Sequence, residues 1–170
     1  MKKILTVSLL ALALALLIFS LLPAKVTSVE ISATKVTAAP LPEIQEPSIK
    51  EKMIQGDATV RLQIVESLVK AKAEQYNVSA YEMLTTIRCE NKSLDPNKQS
   101  GHRYNFNSPK RKIVLGEQER SFGLVMIHLP DHPTVSHTEA TDPEFAIDFM
   151  AKKFANGEQR AWTCWRTHFE

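Results

Sequence analysis

Glu90 is the residue whose type and position call most for an explanation. It falls three residues after Ile87 and seven after Met83. That spacing puts it on the apolar face outlined by Ala80, Met83, Leu84 and Ile87. A carboxylate on a buried face is costly unless it is paired or protonated. Loss of water favours the neutral acid and raises its pKa. A carboxylic acid held neutral near physiological pH can protonate a leaving oxygen. Periodicity alone leaves a second reading open, a glutamate near a helix end that bends out to water.

The other reactive side chains are two cysteines, Cys89 and Cys164, and five histidines, at 102, 128, 132, 137 and 168. An even cysteine count in an oxidising compartment suggests one disulfide. Cys89 precedes Glu90, so its side chain points about 100° around the helix from the acid. It can therefore bond sideways to the Trp162–Trp165 segment without covering Glu90. The competing readings are a catalytic thiol at Cys164 with a distant histidine, and two free buried cysteines. A metal site lacks the C-x-x-C spacing such sites use.

These residues need elements to hold them. Ser79-Ala80-Tyr81-Glu82 fits a capping box that starts the Glu90 helix, and Asp95-Pro96 stops it. Before it, Val60, Ile64, Val65, Leu68 and Val69 predict a helix opening at Asp57 and ending at Asn77. After it, residues 97–119 are polar and irregular, with Ile113-Val114-Leu115 as the one short strand candidate. Ser121 to Leu129 is short and apolar, expected as a helix closed by Pro130. Asp142-Pro143 is a cap followed by proline at the first helical position. Ile147, Met150, Ala151 and Phe154 form the buried stripe of that helix, and Asn156-Gly157 ends it. A last short helix carries Trp162 to Arg166.

The N-terminus gives the strongest local signal. Lys2 and Lys3 precede Ile4–Leu22, a stretch without charge. Its length approaches the roughly 20 residues that span a bilayer, while a secretory h-region is usually about 7–15. Residues 1–26 are therefore expected as a signal peptide or a membrane anchor, and both readings export the remainder. Residues 27–56, with Pro40, Pro42 and Pro47, read as a disordered linker. Residues 57–170 are expected as one domain, mainly α, with at most a short β-hairpin. The formal net charge is +2. Setting aside Lys2, Lys3 and Lys25 leaves 18 basic against 19 acidic groups, no footprint for nucleic acid.

Ile87-Arg88-Cys89-Glu90-Asn91, followed by Asp95-Pro96, resembles the catalytic segment of the transglycosylase SLT domain of the lysozyme-like superfamily. Ser121-Phe122-Gly123-Leu124-Val125-Met126-Ile127 resembles that family's second motif, Ser-x-Gly-Leu-Met-Gln-Ile, with Leu129-Pro130 after it. Asp142-Pro143 with Phe145-Ala146-Ile147 resembles the next helix. The resemblance covers about residues 70–166.

The resemblance implies a small lysozyme-like domain that cuts the bond between N-acetylmuramic acid and N-acetylglucosamine in peptidoglycan. Glu90 is the implied single acid/base, a 1,6-anhydro sugar the implied product, and no metal or organic cofactor is needed. Ser121, Phe122, Gly123, Met126 and Trp162 are the implied substrate-binding residues. The implied partner is the glycan strand, with the membrane as a second if residues 1–26 stay uncleaved. The chain departs from the family at three places. Asn91 stands for the usual Ser and keeps hydrogen-bonding capacity. Met126 stands for Gln and cannot make an amide's hydrogen bonds, which favours a catalytically inactive glycan-binding domain as an alternative. The Ala-Tyr-Asn motif is missing, leaving Trp162 or Trp165 as an aromatic wall or as core. A muramidase hydrolase is the other alternative. It needs a second carboxylate about 5–9.5 Å away, for which Asp95, Glu117, Glu119 and Asp131 are candidates.

Overall fold

The computed structural model describes residues 46–170. The expected N-terminal signal or anchor, and the linker as far as residue 45, lie outside the described residues. The domain is mainly helical, with a single two-stranded sheet. In chain order it runs α1 (Ile49–Gln55), α2 (Ala58–Tyr76), α3 (Ala80–Glu90), β1 (Ser121–Phe122), β2 (Ile127–His128), α4 (His137–Ala140), α5 (Pro143–Ala155) and α6 (Thr163–Phe169). Among the described residues no helix is long and apolar enough to cross a membrane.

α1 corrects the expectation that residues 27–56 form a linker throughout. Ser48 caps it, with its hydroxyl accepting from the Glu51 N–H while the Glu51 carboxylate accepts from the Ser48 N–H. This reciprocal pair satisfies two donors that a short helix otherwise leaves unpaired. Met53 then seats fully in the core, where burying one such side chain is worth about 1.5–3 kcal/mol.

α2 starts and stops where its residues require. Asp57 accepts from the N–H groups of Thr59 and Val60, and Asn77 closes the helix in the left-handed conformation, φ 53°. Val65 and Val69 are buried as the stripe predicts, whereas Val60 is 38% exposed at the first turn. α2 packs against both α3 and α5. α5 opens with Asp142 accepting from the Phe145 N–H, and Ile147, Met150, Ala151 and Phe154 all point into the core.

The largest correction concerns residues 121–129. They form a hairpin, not a helix: Ser121 pairs with His128 and Phe122 with Ile127, antiparallel. The turn between them holds Gly123 at φ 82° and Met126 at φ 52°, both outside the right-handed helical region. Gly123 is obligatory there. A Cβ on it would lie 1.9 Å from the Ala140 carbonyl oxygen. Ile113-Val114-Leu115 forms no strand either. Ile113 makes only an isolated bridge to Ser108, while Val114 and Leu115 are exposed.

Candidate active site

α3 delivers Glu90 as its last residue. Met83 and Ile87, on the same face, are fully buried, so the helix is anchored along the side that carries the acid. Asn91 caps it from within the core. Its side-chain amide donates to the carbonyls of Asp95, at 2.8 Å, and Gly123, at 3.2 Å. One buried side chain thereby ties the end of the Glu90 helix to the turn of the β-hairpin. The amide capacity expected of Asn91 is spent on architecture.

α6 closes the other side. Cys89 and Cys164 are joined by a disulfide with Cα atoms 5.9 Å apart, across 75 residues of sequence. This removes the thiol-nucleophile reading and the reading of two free cysteines. The bridge brings the start of α6 against the acid, and the Cys164 backbone N–H donates to Glu90 Oε1 at 3.1 Å. Burial pushes the Glu90 carboxyl above its ordinary value. The Cys164 hydrogen bond opposes that rise, the Glu119 charge adds to it, and Arg166 and His102 act against it more weakly. The net direction is upward.

Glu90 opens into a cleft of about 510 Å³. Ser121, Met126 and Trp162, three of the implied substrate-binding residues, line it. Trp162 is chiefly a core residue, 6% exposed. Its indole N–H donates to the Val125 carbonyl at 2.7 Å, and its ring meets Phe154. Trp165 lies outside the lining; its indole N–H donates to Glu82 at 2.8 Å. That bond gives the Glu82 carboxylate its partner, while the Ser79 hydroxyl still caps the Glu82 N–H. Phe122 and Gly123 are not in the lining. Phe122 packs edge-on against His137, and Gly123 is buried beneath α4.

Of the four candidate second carboxylates, Glu119 and Asp131 line the cleft; Asp95 and Glu117 do not. Glu119 is held at both oxygens, by the Ser100 hydroxyl at 2.9 Å and the Ser121 hydroxyl at 2.8 Å. No protein-family model, curated protein or solved structure matches the chain. The site is therefore read from its own geometry.

Asp131 belongs to a chain of bonds along the cleft rim. His128 Nδ1 lies 2.8 Å from Asp131 Oδ2 and His128 Nε2 lies 3.0 Å from the Tyr104 hydroxyl. The Tyr104 oxygen also accepts the Arg120 N–H at 2.9 Å. Tyr104 and Asp131 thus flank the two ring nitrogens of His128. His132, further along, packs on Phe149. Burial, aided by the Lys153 cation, pushes its pKa down.

Sequence reasoning named neither Ser100 nor His128 as part of the site. Ser100 enters through a loop held by its N–H bond to the distant Ser121 carbonyl, and His128 enters on the second strand of the hairpin, opposite Ser121.

Proposed function

We propose that the chain is a peptidoglycan lytic transglycosylase on a lysozyme-like domain, acting outside the cytoplasmic membrane. One observation carries this reading. A carboxyl whose pKa is raised by burial stands at the end of an anchored helix and opens into a cleft large enough for a ligand. The disulfide is consistent with an oxidising, exported setting.

In this reading Glu90 gives its proton to the glycosidic oxygen as the bond to the muramic acid C1 breaks. The muramic acid 6-hydroxyl then attacks C1, and its proton returns to Glu90. The product is a 1,6-anhydro sugar, and the acid is restored for the next turnover. Burial serves the first half of the cycle, because it keeps the proton on Glu90 until the leaving oxygen takes it.

The deciding experiment is mass analysis of fragments released from purified cell wall. Anhydro-muramic ends support the proposal, and reducing ends with an added water refute it. A specific observation favours hydrolysis as the second reading. Glu119 lines the same cleft, fixed by two serine hydroxyls, where it could activate a water.

A further inference from the structure

Asp131 lines two cavities. One is the cleft of Glu90; the other is a separate concavity of about 540 Å³. Its walls include Lys110, Arg111, Lys112 and Arg120, set against Asp131 as the single acid.

Arg111 is held through its Nε and Arg120 through one terminal nitrogen. Arg111 Nε meets Asp131 Oδ1 at 2.9 Å, and the other Asp131 oxygen is taken by His128. Arg120 uses one terminal nitrogen on the carbonyls of both Arg111 and Lys112. The remaining terminal nitrogens, both of Arg111 and one of Arg120, have no side-chain or backbone partner among the described residues. A guanidinium fixed along one edge presents its other donors with little entropy left to lose, and its fork matches a carboxylate. Lys110 and Lys112 are exposed and add two charges, while Leu129 and the prolines beside it supply an apolar floor.

We propose that this basic concavity binds the free carboxylates of the peptide stems that muramic acid carries. The inference rests on the glycan-cleaving reading above. The stems leave the glycan at muramic acid, beside the bond that Glu90 would cut. A cavity that shares Asp131 with the cleft is where a short, anionic, partly aliphatic appendage of that sugar can be received.

The test uses the full chain carrying Glu90→Gln, so that binding is read without cleavage. Solubilised glycan strands bearing stems are compared with the same strands stripped of stems by an amidase. Stems are expected to tighten binding about tenfold, the scale of one charge-assisted hydrogen bond. In Lys110→Glu/Lys112→Glu, which alters two exposed positions, the affinity ratio is expected to fall to about one. Equal affinity for the two strands, or a stem preference that survives the double reversal, overturns the inference. Failure to bind either strand overturns the glycan reading with it, so the two failures are distinct.

Discussion

The backbone N–H of Cys164 and the carboxyl of Glu90 lie 3.1 Å apart, and the disulfide holds them there from the neighbouring residue. Two effects on the acid oppose each other. Burial raises the pKa, whereas the Cys164 N–H of α6 favours the charged form and lowers it. Burial dominates, so the acid stays protonated above the usual carboxyl range. The hydrogen bond fixes the side chain and favours its charged form.

Glu90→Gln should therefore abolish turnover while leaving the fold intact. The amide keeps the shape and can still accept from Cys164, but it has no proton to give. Loss of general acid catalysis costs about 10²–10⁴-fold. Retention of more than a few per cent of wild-type clearing of purified cell wall would defeat the proposed mechanism.

The same variant makes a prediction about stability. A carboxyl whose folded pKa lies above its unfolded value stabilises the fold at low pH, and that contribution fades as pH rises through the folded value. Gln does not titrate. Glu90→Gln should melt higher than wild type at pH 7, with the gap closing towards pH 4. Calorimetry across that range reads it, and a gap that widens on acidification would contradict the burial argument. Wild-type activity should fall on the alkaline side, above the raised Glu90 value.

Opening the disulfide should act on both stability and chemistry. In the chain-entropy account a loop of this size is worth about 4 kcal/mol. Cys89→Ser/Cys164→Ser should lose a large part of that in denaturant titration. Loosening α6 also readmits water to Glu90. Its pKa should drop towards the ordinary value and draw the alkaline limb of the pH–activity profile downward. A profile unchanged in the reduced or double-serine protein would show that α6 does not tune the acid.

Asn91→Ala should be strongly destabilising for so small a change. It leaves the buried Gly123 carbonyl without its side-chain donor, while the Asp95 carbonyl keeps the Lys98 N–H. A stranded buried group costs about 1–3 kcal/mol. Thermal melts of the variant and of Asn91→Asp, which supplies no amide donor, should both shift downward.

Gly123→Ala tests the turn beside it. The added methyl meets the Ala140 carbonyl at 1.9 Å and the residue sits at φ 82°. Both effects point the same way, and a loss of several kcal/mol is expected from strain and overpacking. A soluble variant with a wild-type melting temperature would refute the close approach of hairpin and α4.

The helical frame was legible in the residues themselves. Asp57, Asn77 and Asp142-Pro143 announce helix ends through their own capping chemistry, and the stripe from Ile147 to Phe154 has one period only. Glu90 was legible because it violates such a stripe. The hairpin was not. Leu124, Val125 and Ile127 are all buried, so the run lacks the in–out alternation that marks a strand. Met126 gives no hint of its positive φ, since the conformation is imposed by strand pairing. α1 was hidden by the prolines before it, although Ser48 and Glu51 carry the capping signature. Glu119 was visible only as one of four acids. Its place beside Glu90 depends on two serines brought together from either end of a loop.

Those two serines have a wider consequence. Ser100 and Ser121 bracket the excursion of residues 101–120, and they meet both at Glu119 and through their own backbones. The excursion is thus stapled shut at its neck. Its outer part can lengthen, shorten or exchange its residues while the neck keeps the cleft in register. Natural divergence or deliberate grafting can remodel the outer end without reaching the chemistry of Glu90. The neck at Glu119 is thus held apart from the outer loop, where a graft has room around Gly116 but must keep that glycine, whose φ of 84° disfavours a side chain.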